Sequence, residues 1–167
     1  AAQTTETQPE ETQPEETQPE ETQPIEIRET ISISIAEDLV ALGENCSLDT
    51  WSLDKRVVLE ADISLRGVDF EPIATFGGIF EGNGHVISGL NLTGDFAPAG
   101  LFGIVQSTGR IRNLTVEGTV EPGGEGSNAG GIVGENYGRL ENCAFSGTVT
   151  GKRNTGGIAG SNYGTLN

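Results

Sequence analysis

Gly131–Asn142 reads GIVGENYGRLEN, and Gly157–Asn167 reads GIAGSNYGTLN. A looser copy, GLFGIVQSTGRIRN, occupies Gly100–Asn113. Each copy sets Gly-apolar-x-Gly ahead of a short polar turn and then Gly-x-[Ile/Leu], with starts 31 and 26 residues apart. Repetition at that period marks a solenoid, in which each unit buries its apolar face only against its neighbours. Glycine every three to six residues would ruin paired helices, so the coil is expected to be of strands. The fold class read here is all-β, a parallel β-helix.

Overlaying the coils predicts a register. Ile63, Leu90, Leu114 and Cys143 fall in one inward column, and Leu65, Leu92, Val116 and Phe145 in the next. Val120 and Val149 extend the pattern, while Ser64, Asn91, Thr115 and Ala144 alternate with it, as a strand with one buried face requires. Of the 25 glycines, 23 lie between Gly77 and Gly164, where the chain must turn repeatedly. Residues 57–167 are therefore assigned to the coils.

Residues 25–56 are predicted to form an amino-terminal cap. Ile27, Ile31, Ile33 and Ile35 alternate with polar residues as in a strand. Ser34 and Glu37 then make S-x-x-E, the pattern of a capping box. Ile35, Leu39 and Leu42 follow on one helical face, and Gly43 suits the stop. A capped first coil does not expose its apolar cross-section.

Residues 1–24 carry four copies of Thr-Gln-Pro, the first three completed by Glu-Glu. Proline every five residues breaks any helix, and like charges extend the chain. With no apolar side chain to offset the entropy of ordering, the segment is expected to be a disordered acidic spacer or solubilising tail.

Net charge is −16, and eight of the 25 acids lie in residues 1–26, which hold no Lys or Arg. Such a chain lacks the cationic surface that nucleic acid or anionic lipid requires. No run of 18 apolar residues exists, so no membrane-inserted segment is expected. Two cysteines, Cys46 and Cys143, make neither a disulfide framework nor a metal-ligand pattern. Cofactors and metals are expected to be none.

The repeats resemble the GLUG motif of bacterial surface proteins. The likeness rests on Gly131-Ile-Val-Gly134 with Asn136-Tyr-Gly138 and Asn142-Cys143, and on Gly157-Ile-Ala-Gly160 with Asn162-Tyr-Gly164. Leu59–Leu65 and Phe80–Ile87 look like the lead-in that precedes such repeats. The resemblance implies a right-handed parallel β-helix in a secreted, adhesin-like cell-surface protein, some members being attached to immunoglobulin-cleaving peptidases. It implies no catalytic residue set. Asn167 falls at the place of Glu141, not Asn142, so the repeat is unfinished and further coils are expected beyond it.

Candidate sites are few. Tyr137 and Tyr163 occupy equivalent turns and are predicted to stack on one edge, as an aromatic platform for sugar rings or as packing that stiffens the turns. Asp62, Asn113 and Asn142 are read as a structural ladder, with Gly89 at the same level. His85, the single histidine, is expected to cap a turn beside Gly84. Asp62, Asp69, Glu81, Glu117 and Glu141 are too scattered for the paired carboxylates of glycoside cleavage. Cys143 reads as an unreactive core thiol. Asn45, Asn91 and Asn113 open glycosylation-like triplets but carry little weight. The chain is thus expected to be a non-catalytic structural and adhesive module, contacting a host protein or glycan. The alternative is the non-catalytic arm of a larger peptidase or polysaccharide-degrading enzyme.

Overall fold

The computed structural model describes residues 26–167, so the disorder expected of residues 1–24 lies outside the described residues. The chain opens with β1 (Glu29–Ile33) and α1 (Ala36–Asn45). One rung follows as β2 (Lys55–Leu59), β3 (Ile63–Ser64) and β4 (Ile73–Phe76). The next is β5 (Ile79–Glu81), β6 (Val86–Leu92) and β7 (Phe102–Val105). Two rungs gain a short extra strand: β8 (Arg110–Arg112), β9 (Thr115–Val120), β10 (Ala129–Gly130), β11 (Val133–Asn136), then β12 (Arg139–Glu141), β13 (Ala144–Val149), β14 (Thr155–Gly156), β15 (Ala159–Asn162). Finally β16 (Thr165–Leu166) starts another pass.

Every ladder is parallel. Sheet A stacks β1-β2-β5-β8-β12-β16, sheet B β3-β6-β9-β13, and sheet C β4-β7-β11-β15, with β10 and β14 forming a small fourth pair. The molecule is the parallel β-solenoid that the repeat period implies, of about five turns. Alternate residues of each sheet point inward, so like positions stack along the axis. Val57, Phe80, Ile111 and Leu140 form one such column in sheet A, all at most 1% exposed. At the centre, Phe80 from sheet A meets Phe76 and Phe102 from sheet C, with ring centroids 5.3–6.0 Å apart. Two of these contacts are edge-to-face, the geometry that the ring quadrupole favours.

The predicted register needs correction in its first half. Ile63 pairs with Ile87, which continues to Val116 and Phe145. Leu90 instead lies opposite Gly118, Leu65 lies beside Ser88, and Leu92 aligns with Val120 and Val149. Leu114 and Cys143 do sit side by side, because Ala144 bonds back to the Leu114 carbonyl. The cause is a bulge in β6 between Ile87 and Leu90, where Gly89 adopts φ +71°. An extra residue there turns two apolar side chains three positions apart to the same buried side. Simple alternation cannot anticipate that.

The cap also differs in detail. β1 is itself a parallel strand of sheet A, and α1 packs against β1 and against β4, the first strand of sheet C. Leu39 and Leu42 are buried, whereas Ile35 is 55% exposed and precedes the helix as its N-cap residue. The Ser34–Glu37 box is not formed. Asp38 takes its place, its Oδ2 accepting the backbone N–H groups of Ser34 (2.9 Å) and Ile35 (3.2 Å). Isoleucine has no side-chain acceptor to return the bond, so the box is one-sided. The helix runs two residues past Gly43, to Asn45, and closes on a Cys46 N–H to Leu42 carbonyl bond of 3.0 Å. No helix among the described residues is long and apolar enough to cross a membrane.

Candidate functional site

The corner from sheet C into sheet A is built by Asn136-Tyr137-Gly138 and, one rung on, Asn162-Tyr163-Gly164. Asn136 points inward and is fully buried. Its Oδ1 accepts the Gly138 N–H at 3.0 Å and its Nδ2 donates to Asn162 Oδ1 at 2.8 Å. Asn162 makes the matching turn with Gly164, at 3.3 Å. Gly138 is required by close approach, since a Cβ there would run into the carbonyls of Gly109 and Gln106. With asparagine at the corner and glycine against the preceding rung, the residue between them is turned out to solvent.

That residue is tyrosine in both copies. The rings of Tyr137 and Tyr163 lie 4.9 Å apart with 16° between their planes, which matches the spacing of the strands beneath. They are 44% and 66% exposed. Tyr137 Oη donates to Glu135 Oε2 at 3.3 Å. Desolvation in the stack, then the charge of the Glu135 carboxylate and its hydrogen bond, push the Tyr137 phenol up from its ordinary value. Both rings spend one face on each other. What the corner offers outward is a row of ring edges and hydroxyls beside a carboxylate, plus the second face of Tyr163.

The asparagine ladder is laid out differently from the predicted set. Asn113 and Asn142 stack, Asn142 Nδ2 donating to Asn113 Oδ1 at 2.9 Å, and both hold φ near +50°. Asp62 is not part of it. Its Oδ1 accepts the Val86 N–H at 2.9 Å and meets His85 Nδ1 at 3.1 Å, bonds that hold its carboxyl below the usual range. The level beneath Asn113 is filled by Glu81 and Asn83: Glu81 Oε1 accepts from Asn113 Nδ2 at 3.0 Å and from the Asn83 N–H at 2.9 Å. Asn83, the third positive-φ asparagine, escapes the sequence overlay because the Gly82–His85 turn lengthens its rung.

Two further ladders went unread: Asn136–Asn162 and Asn128–Asn154, the latter bonded at 3.1 Å. Their spacing of 26 residues was available in the sequence as a signal. His85 bonds through its N–H to the Gly82 carbonyl at 2.8 Å, closing the turn after Gly84. Cys46 is fully buried, which pushes its thiol up to about 12. Cys143 is half-buried and its thiol is also raised, chiefly by burial. Both are free. No group of three His, Cys, Asp or Glu side chains able to hold a metal ion occurs among the described residues.

Comparison with known proteins places these features. The profile of the GLUG motif matches residues 125–150, the stretch that holds β10 to β13 and the first tyrosine corner. Halomucin of Haloquadratum walsbyi is 40% identical over 82 residues, 48% of this chain and about 1% of halomucin. The chain therefore spans a very small part of the relative it matches. No solved structure matches. Strand stacking and motif agree: this chain is a parallel β-solenoid carrying the GLUG motif.

Proposed function

We propose that this chain is a non-catalytic structural and adhesive module of a secreted prokaryotic surface protein, contacting a glycan or a host protein through its tyrosine corner. The observation that carries this reading is the exposed Tyr137–Tyr163 stack beside Glu135. The buried Asn136 with Gly138, and the exposed Asn162 with Gly164, turn the two tyrosines outward, so the rings are positioned at little further entropic cost. Hydroxyls and a carboxylate suit the hydroxyls of a sugar, and the free face of Tyr163 suits its apolar side. The small share of halomucin that is matched supports reading these coils as one module of a longer architecture, whether surface protein or enzyme arm.

The test is binding of the full chain to an array of neutral and acidic oligosaccharides, with and without Tyr137→Ala/Tyr163→Ala. Binding by the parent, lost in the variant while the β-sheet circular dichroism persists, is the expected outcome. Equal binding by both, or none by the parent, removes the glycan role.

A further inference from the structure

Sheet A carries five of the nine basic residues: Lys55 and Arg56 in β2, Arg110 and Arg112 in β8, and Arg139 in β12. Two axial columns flank its buried one, and they differ in charge. On one side Val58, Glu81, Arg112 and Glu141 succeed each other and neutralise themselves, with Arg112 Nε 2.6 Å from Glu81 Oε2. On the other side Thr30, Arg56, Ile79, Arg110, Arg139 and Thr165 form a column that contains no acid. Among the described residues, Arg56 and Arg110 have no carboxylate within 4.0 Å. Arg139 is shared, its Nε lying 2.6 Å from Glu141 Oε1.

The acid-free column adjoins the tyrosine corner. Tyr137 leads through Gly138 into Arg139, and Tyr163 through Gly164 into Thr165. The row of rings and the column therefore run side by side along the axis, about 7 Å apart. Arg110 and Arg139 are exposed and Arg56 is half-buried. Three rungs separate Arg56 from Arg139, about 14 Å along the axis. Strands β2, β5, β8 and β12 are each paired on both sides, so this face offers no free strand edge for a peptide to extend.

We infer that the Arg56–Arg110–Arg139 column binds the carboxylates of a linear, uronate-bearing glycan lying along the solenoid axis, its sugar rings passing against the tyrosine corner. The inference rests on the glycan reading of that corner and adds the charge class of the ligand. A guanidinium is a planar fork that pairs bidentately with a carboxylate, and the forks of Arg56 and Arg110 are not spent on a described carboxylate. A uronate chain presents its carboxylates in a line, as an axial column requires, and hydroxyls to the phenols beside it. The net charge of −16 does not oppose this at contact range. At about 0.15 M salt, charges beyond about 8 Å are screened, and the arginines act inside that distance. Glu135, the acid at the corner, has both oxygens engaged, by Asn128 Nδ2 at 2.7 Å and Tyr137 Oη at 3.3 Å. Acidic surface elsewhere repels a polyanion and so confines it to this face.

The experiment is calorimetric titration of the full chain with a linear oligogalacturonate, and with the same oligosaccharide after its carboxyls are reduced to alcohols. The acidic form is expected to bind about tenfold more tightly, the gain of two exposed charge pairs. Arg56→Gln/Arg110→Gln should remove that preference and leave both the reduced form's affinity and the β-sheet circular dichroism unchanged. Equal affinity for the two forms, or a preference that survives the arginine substitutions, overturns the inference while leaving the tyrosine reading in place. A preference that needs the arginines but is untouched by Tyr137→Ala/Tyr163→Ala does the reverse: the column stands and the corner loses its role. Binding of neither form removes both. A sulfated galactan or polyglutamate bound as tightly as the uronate, with the same need for the arginines, overturns the assignment to uronate.

Discussion

Asn136 shows how one side chain can hold a corner. Its buried amide satisfies the Gly138 N–H and links to the exposed Asn162 on the next rung. Asn136→Ala leaves the buried Gly138 N–H unpaired and is expected to lower stability by about 1–3 kcal/mol, read as a shift in the urea midpoint. Asn162→Ala, on the exposed last rung, should cost less. Glu81 is the charged counterpart. Burial pushes its carboxyl up, but bonds from Asn113, the Asn83 N–H and Arg112 outweigh that and hold it below its ordinary value of 4.5. A folded pKa below the unfolded one stabilises fully above the unfolded value and fades as pH falls through the folded one. Glu81→Gln should therefore be less stable at neutral pH and decline less steeply below 4.5, in unfolding free energies measured across that range. An unchanged slope would mean that other carboxylates dominate acid unfolding. Asparagine was legible as a corner residue, but Asp62 was misplaced into its ladder, because the length of the Gly82–His85 turn cannot be counted without the partner strand.

Among elements, α1 decides how the stack ends. Its apolar stripe of Leu39 and Leu42 was readable at helical spacing, whereas its cap was not. Ser34 and Glu37 have the right types at the right interval, yet the helix starts one residue later and Asp38 accepts the free amides. Asp38→Ala should lower the thermal midpoint in line with a loss of about 1 kcal/mol. Ser34→Ala and Glu37→Ala should each stay within about 0.5 kcal/mol of the parent. A larger loss for Glu37→Ala would restore the original box. Strand β6 teaches a similar lesson: its alternation is regular as far as Ile87, and Gly89 then absorbs an extra residue by taking a positive φ. The sequence contains the glycine but not the neighbour that makes a bulge the lower-energy choice.

For the whole molecule, stability resides in a narrow axial core, and its largest fully buried side chains, Phe76, Phe80 and Phe102, form a cluster joining sheets A and C. Phe102 is fully buried, so Phe102→Ala is expected to cost about 3–5 kcal/mol through lost burial and a residual cavity. Phe145, on the half-covered last rung, should cost distinctly less. Chemical denaturation followed at the β-sheet band compares the two. Equal losses would mean that the rungs unfold as one unit with no local weak end, against the near-neighbour energetics of a solenoid.

The repeated glycines, the 2-residue alternation and the paired Asn-Tyr-Gly turns were enough to determine that this chain coils into parallel strands and sets two tyrosines on one edge. Those are local properties, fixed by backbone freedom and side-chain polarity within one rung. Tertiary structure decided the rest: which rung meets which, where Asp38 replaces Glu37, and why Asp62 leaves the ladder. It also gathered cations from β2, β8 and β12 into one column. Residues so far apart in sequence become neighbours only through the register between rungs, and that register depends on the length of every turn between them.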